Sequence, residues 1–185
     1  MVERIDLSVL VPAYNERENI CPLYLRLKEV LTSIGGEFEI VFVDDGSIDG
    51  TFEAMKSLHD ADQRVRLVKL RMKYGQTAAL DIGFKRCKGD VIVQMDADLQ
   101  NDPSDIPLML KKLDEGYDCV CGWRYDRMDT FSKRIFSQIA NTFRRAIIND
   151  GVHDEGYYLR VYWSDVIKGI RLDSTSIVSY PRSYT

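Results

Sequence analysis

Residues 91–105 read VIVQMDADLQNDPSD: five largely apolar residues run into two aspartates one residue apart. A short apolar run bounded by turn residues reads as a buried strand. With the backbone extended past Met95, the period-two alternation of a strand turns Asp96 and Asp98 to the same side. Two carboxylates held so close repel, and they either share a proton or hold a cation. A hard divalent ion, Mg²⁺ or Mn²⁺, takes oxygen ligands and often keeps only one or two carboxylates plus the phosphates of a substrate. Asp-x-Asp also occurs as a solvated turn with acidic caps, so the rest of the chain has to decide.

The same grammar repeats outward from this point. LSVLVPA (7–13), FEIVFV (38–43), VRLVKL (65–70), DVIVQM (90–95) and YDCVCGW (117–123) are apolar runs of strand length, the last with both sides apolar. Helical patterns separate them over 17–34, 51–59 and 77–85, and Asp102-Pro103 offers an N-cap and first-turn pair for another. Asn15 and Glu18 have the spacing of a capping box at the start of the first helix. Continuous apolar strands alternating with helices predict an α/β fold, a three-layer sandwich around a mainly parallel sheet covered on both faces. After Trp123 the pattern changes: Phe131, Ile135, Phe136, Ile139, Phe143 and Ile147 recur at helical spacing, with Lys133, Arg134, Arg144 and Arg145 between them. The last residues, 173–185, have no clear period and read as a loosely ordered tail.

Composition narrows the function. The 185 residues carry 45% hydrophobic and 29% charged side chains, ordinary for one globular domain, and a net charge of −4 that gives nucleic acid no general invitation. The four cysteines lack zinc-ligand spacing and read as small buried hydrophobes in a reducing compartment. His59 and His153 are too isolated for a metal pair and read as surface positions. The apolar run at 7–13 lacks the flanks of a secretory signal, and no stretch approaches the ~20 apolar residues of a membrane span. No G-x-G-x-x-G follows the first strand and no G-x-x-x-x-G-K-[ST] occurs, which excludes a dinucleotide fingerprint and a P-loop.

In an open parallel sheet the ligand lies beyond the carboxyl ends of the strands. The first strand ends in Pro12-Ala13-Tyr14-Asn15-Glu16, the second in Asp44-Asp45-Gly46-Ser47 and the fourth in Asp96-Ala97-Asp98-Leu99-Gln100. The second acidic pair beside the first favours a cation with a diphosphate on its far side. Asp-Asp-Gly-Ser is also a serviceable turn and helix cap. In the functional reading one of its carboxylates meets the N–H of a base or ribose hydroxyls, with Tyr14 supporting the base.

Together, VLVPAYNERENI, IVFVDDGSIDGT, KYGQTAALDIGFKRCKGDVIVQMDADLQNDPSDIP and GYDCVCGWRYDR resemble the family-2 inverting glycosyltransferases of GT-A fold. Within that family they are similar to the polyprenyl-phosphate sugar transferases, the dolichyl-phosphate mannosyltransferase-like and undecaprenyl-phosphate branch. The resemblance runs in order from about Ile5 to Leu172. It implies a metal-dependent transfer of a sugar from a UDP- or GDP-sugar donor to a polyprenyl-phosphate acceptor. It further implies that Pro12, Tyr14, Glu16, Asp44 and Asp45 hold the nucleotide, with Asp96, Ala97, Asp98 and Gln100 contacting the donor. Asp96, Asp98 and Gln100 would surround Mg²⁺ or Mn²⁺, and Arg124 and Arg134 would lie near the phosphates. Asp154 and Arg160, in HDEGYYLR, match a segment usually reading Asp-x-Gly-Cys-x-Leu-Arg, in which Tyr157 replaces a small residue. Asp98, Asp154, Arg124 and Arg134 are thus the candidate catalytic residues.

The resemblance also sets the domain expectation. Residues 1–172 would be a catalytic domain, C-terminally incomplete, because family members continue with further structure and often two membrane helices. The full-length protein is then expected on the cytoplasmic side, peripheral to or anchored at the membrane. Two other classes share the nucleotide. A sugar nucleotidyltransferase would carry a glycine-rich activating loop with Lys or Arg after the first strand, where PAYNEREN has no glycine. A nucleotide-sugar-binding remnant would bind the donor without transferring the sugar.

Overall fold

The computed structural model describes residues 4–122 and 158–169. In chain order these form β1 (Leu7–Ala13), α1 (Arg17–Ile34), β2 (Phe38–Asp44), α2 (Thr51–Ala61), β3 (Val65–Lys69), α3 (Gln76–Arg86) and β4 (Val91–Gln94). A 3₁₀ turn at Pro103–Asp105 leads into α4 (Ile106–Leu113), followed by β5 (Cys119–Cys121), β6 (Arg160–Trp163) and α5 (Ser164–Lys168). The six strands form one sheet in the order β3-β2-β1-β4-β6-β5. β1 through β4 pair in parallel, and β6 and β5 close the far edge antiparallel.

The unbroken apolar strands are explained by two cores, one on each face. Val9, Val11, Ile40, Phe42, Val93 and Val161 point into the core covered by α1, α2 and α4. Their sequence neighbours Leu10, Val41, Val43, Ile92 and Tyr162 point into the other, under α3 and α5. The central strands are therefore mostly apolar at successive positions, with Ser8, Glu39 and Gln94 as buried polar exceptions, and each face keeps its own alternation. Fully burying one Val, Leu, Ile or Phe contributes about 1.5–3 kcal/mol, so the central strands anchor the domain.

Several expectations need correction. The start of α1 has no capping box: Glu16 occupies the cap without a side-chain cap bond, and Asn15 adopts a positive φ of 56°. The backbone donors at this end are taken by the loop after β2 instead. Asn15 N–H donates to Ser47 Oγ (2.9 Å), Glu16 N–H to Thr51 Oγ1 (2.9 Å) and Arg17 N–H to Asp49 Oδ2 (3.3 Å). Asn15 Oδ1 in turn accepts from Ile48 N–H at 3.0 Å. The fifth strand is shorter than expected and lies at the sheet edge, so Cys121 is exposed and Cys119 half-buried. Cys87 is buried as expected, whereas Cys21 faces solvent. His59 is half-buried rather than a bare surface group, its Nδ1 2.6 Å from the Val65 carbonyl. β6 had no counterpart among the expected strands: it is four residues long and enters from the segment after 157.

Asp102-Pro103 behaves as expected, the Asp102 carboxylate accepting from Ser104 N–H at 3.0 Å at the head of the 3₁₀ turn. The basic amphipathic stretch 131–147 and the tail 173–185 lie outside the described residues. No helix among the described residues is long and apolar enough to cross a membrane.

Candidate active site

Because β1, β2, β3 and β4 run parallel, their carboxyl ends meet at one edge of the sheet. A pocket of about 240 Å³ opens there, lined by Pro12, Ala13, Tyr14, Glu16, Asp45 and Lys73 on one side. Gln76, Ala79, Asp96, Ala97 and Asp98 complete the lining. Seven of the residues singled out in the sequence therefore share one concavity: Pro12, Tyr14, Glu16, Asp45, Asp96, Ala97 and Asp98. Asp44 is not among the lining residues. It is fully buried, one oxygen accepting from Ser47 N–H at 3.1 Å, the other without a hydrogen-bond partner among the described residues. Gln100 lies outside the lining too, but its backbone N–H donates to Asp98 Oδ1 at 3.0 Å. Arg124, Arg134 and Asp154 fall outside the described residues.

The carboxylates differ in their surroundings. Burial pushes the Asp96 carboxyl up to about 6, the neighbouring Asp98 adds to the rise, and Gln76 and Arg160 oppose it. The Asp98–Gln100 turn bends the chain sharply, with Leu99 held at a positive φ of 60°. Asp45 is spoken for on both oxygens: Tyr74 N–H donates to Oδ1 at 2.7 Å and Gly75 N–H to Oδ2 at 2.8 Å. Lys73 sits 3.8 Å from the centroid of the Tyr14 ring and is the only basic side chain among the described residues lining the pocket.

The donor set at the Asp96 end is oxygen-only, which suits Mg²⁺ or Mn²⁺ and not a thiophilic ion. A half-buried carboxylate raised by a like neighbour is also one whose charge a cation would relieve. Among the described residues no group of three or more His, Cys, Asp or Glu is placed to hold a metal. Two carboxylates alone leave most of an octahedral shell for water and phosphate, the usual Mg²⁺ arrangement with a nucleotide. The residues fit the ion on those terms.

Lys73, Gln76 and Ala79 were not singled out in the sequence. All three follow β3, the one parallel strand end left out when the ligand edge was assembled. The signal was there: KYGQTAAL places a glycine between strand and helix at the same edge.

The family profile for glycosyl transferase family 2 matches residues 8–171, nearly the whole chain. The chain belongs to glycosyl transferase family 2. It is 38% identical over 165 residues to an undecaprenyl-phosphate 4-deoxy-4-formamido-L-arabinose transferase of Edwardsiella ictaluri, covering 89% of this chain and 51% of that protein. It is 37% identical over 174 residues to a dodecaprenyl-phosphate galacturonate synthase of Rhizobium johnstonii, covering 92% and 52%. The chain thus spans about half the length of the curated relatives it matches. Among solved structures, glucosyl-3-phosphoglycerate synthase of Mycobacterium tuberculosis with Mn²⁺, UDP and phosphoglyceric acid superposes with a TM-score of 0.68. That match has 19% identity and covers 88% of this chain and 57% of that one, a likeness of fold alone. The family-2 sheet with flanking helices is the GT-A fold, as the sequence led one to expect.

Proposed function

We propose that this family-2 chain carries the donor site of a metal-dependent inverting transferase that moves a sugar from a UDP- or GDP-sugar to a polyprenyl phosphate. One observation carries the reading: Asp96 and Asp98 converge with Tyr14 and Asp45 in a single pocket at the carboxyl edge of a parallel sheet. That is where such sheets bind nucleotides. The names of the relatives, which act on undecaprenyl and dodecaprenyl phosphates, support the lipid acceptor.

In this reading Tyr14, Glu16 and Asp45 hold the nucleoside, and Asp96 and Asp98 would hold Mg²⁺ or Mn²⁺. When bound, the ion supplies Lewis-acid neutralisation of the diphosphate leaving group. Lys73 adds a positive charge at the nucleoside end, its ammonium over the Tyr14 ring. Arg124 and Arg134 are assigned to the departing phosphates by charge-assisted hydrogen bonds. Inversion requires a single in-line displacement at the anomeric carbon. A phosphate monoester, with a second pKa of about 6, is already mostly a dianion at neutral pH. The acceptor therefore needs orientation more than deprotonation, the role we give Asp154. The basic amphipathic stretch at 131–147 suits an anionic membrane surface, placing the protein peripherally at the cytoplasmic leaflet.

Calorimetric titration with UDP and GDP, with and without Mn²⁺, followed by transfer of labelled sugar to a polyprenyl phosphate, tests the proposal. Metal-linked nucleotide affinity and release of nucleoside diphosphate are expected. Binding of neither nucleotide would overturn the donor site. Donor binding without transfer to any lipid phosphate would leave the remnant reading in its place.

A further inference from the structure

The segment between β3 and α3 joins two acidic motifs, at Asp45 and Asp96, that lie far apart in the chain. Residues 72 and 73 are laid directly on the turn after β2: a Cβ on Gly46 would stand 2.4 Å from the Met72 carbonyl carbon and 2.7 Å from Lys73 N. Only glycine, at its φ of 74°, permits that approach. The next two residues are then fixed by Asp45, whose two oxygens accept from Tyr74 N–H and Gly75 N–H at 2.7 and 2.8 Å. Gly75, at a φ of 97°, starts α3, and the first residue of that helix is Gln76. Its amide Nε2 donates to Asp96 Oδ1 at 2.8 Å. The path from Asp45 to Asp96 therefore consists of hydrogen bonds and three consecutive residues.

A carboxylate ligand has to present an oxygen in a fixed direction, and a neutral donor on its other oxygen fixes it without competing as a second charge. An amide does this for Asp96 where Lys or Arg would bring a positive charge that repels a cation. We propose that Gln76 is a positioning residue: it aims Asp96 so that Asp96 and Asp98 can take up one divalent cation, and Asp45 holds Gln76 in place. The inference rests on the reading of Asp96 and Asp98 as cation ligands. Asp45 accordingly has a mechanical role toward the cation end, in addition to its place at the nucleoside end.

The test is calorimetry of Mn²⁺ with UDP and with GDP on the whole chain, comparing wild type with Gln76→Ala and Gln76→Met. Gln76 is exposed, so both variants are expected to keep the wild-type melting temperature, and methionine keeps the bulk while losing the donor. Loss of a residue that orients a ligand typically costs about 10- to 100-fold in metal affinity. Both variants should therefore lose about tenfold or more of the Mn²⁺-dependent gain in nucleotide affinity, measured for each variant against its own metal-free affinity. Retention of the gain by both variants overturns the positioning role while leaving the donor site intact. Retention by Gln76→Met alone shows that Gln76 merely fills space, and overturns it equally. A wild type with no Mn²⁺-dependent affinity for either nucleotide removes the cation site, and the role of Gln76 with it.

Discussion

A Cβ placed on Gly83 would stand 2.3 Å from Leu10 Cδ1 and 2.9 Å from Leu10 Cδ2. Helix α3 therefore rests on β1 with no room for even a methyl group unless the fully buried Leu10 side chain shifts. Overpacking of this kind costs about 1–3 kcal/mol. Gly83→Ala should lower the melting temperature accordingly, about 2–4 °C for each kcal/mol in a chain of this size. The same substitution in a Leu10→Val background should cost less, by about 0.5 kcal/mol or more, because contacting residues couple. Equal costs in the two backgrounds would show that the close approach lies elsewhere.

Asp62, at the turn after α2, predicts the acid behaviour of the domain. Arg64 grips it with Nε at 2.9 Å and Nη2 at 2.7 Å, while the Tyr24 hydroxyl donates to it at 2.9 Å and Lys28 adds a charge at 3.3 Å. The Arg64 hydrogen bonds hold its carboxyl far below the usual carboxylate range despite partial burial. A carboxyl lowered on folding stabilises the protein fully above its unfolded pKa of about 4, and that contribution shrinks as pH falls below it. Asp62→Asn should cost about 2 kcal/mol near neutral pH, the scale of hydrogen bonds to a charged group. The cost should narrow as pH is lowered to about 3, which melting curves across that range would show. A cost independent of pH would mean that the Asp62 charge contributes nothing.

The central sheet was readable because burial on both faces leaves β1, β2 and β4 as largely apolar runs, a pattern that needs no partner to recognise. β6 was not readable: RVYW is short, and its pairing to β4 and β5 comes from segments far away in the chain. The start of α1 misled for a similar reason, since its caps are Ser47, Thr51 and Asp49 from another loop rather than a local box. Asp96 and Asp98 were legible as a pair because strand alternation is a local rule. Gln76 was not, because its meaning depends on a contact twenty positions away.

Asp45 offers a third prediction. Its carboxylate alone holds the Tyr74 and Gly75 donors, so Asp45→Ala strands two backbone N–H groups and frees the segment carrying Lys73 and Gln76. Nucleoside binding should weaken even without metal, and the melting temperature should fall, since each hydrogen bond to a charged group contributes about 1.5–3 kcal/mol at most where the donors are only partly buried. Asp45→Asn keeps one acceptor oxygen and should lie between Ala and wild type in both measurements. An Asn variant as damaged as Ala would point to the charge, and not to the backbone clamp, as what Asp45 contributes.

Asp98→Asn separates charge from shape at the proposed cation site. The Asp98 side chain accepts from Gln100 N–H through Oδ1, and an asparagine oxygen can accept the same bond. Asparagine also favours this kind of turn, so the bend that puts Leu99 at a φ of 60° should survive. What the substitution removes is the Asp98 negative charge beside Asp96 in the pocket. Part of the upward push on the Asp96 carboxyl comes from Asp98, so that carboxyl should titrate lower in the variant. The fold should therefore be undisturbed or slightly steadier at neutral pH, with Asp96 relieved of a like charge. Cation uptake should fail, because one carboxylate with a neutral amide beside it is a poor site for a hard divalent ion. Calorimetry of UDP and GDP with and without Mn²⁺ reads this directly, as loss of the metal-dependent part of the affinity with the metal-free part unchanged. A variant that keeps its full Mn²⁺ dependence at an unaltered melting temperature would show that Asp98 is no ligand, and that these two carboxylates are the caps of a solvated turn.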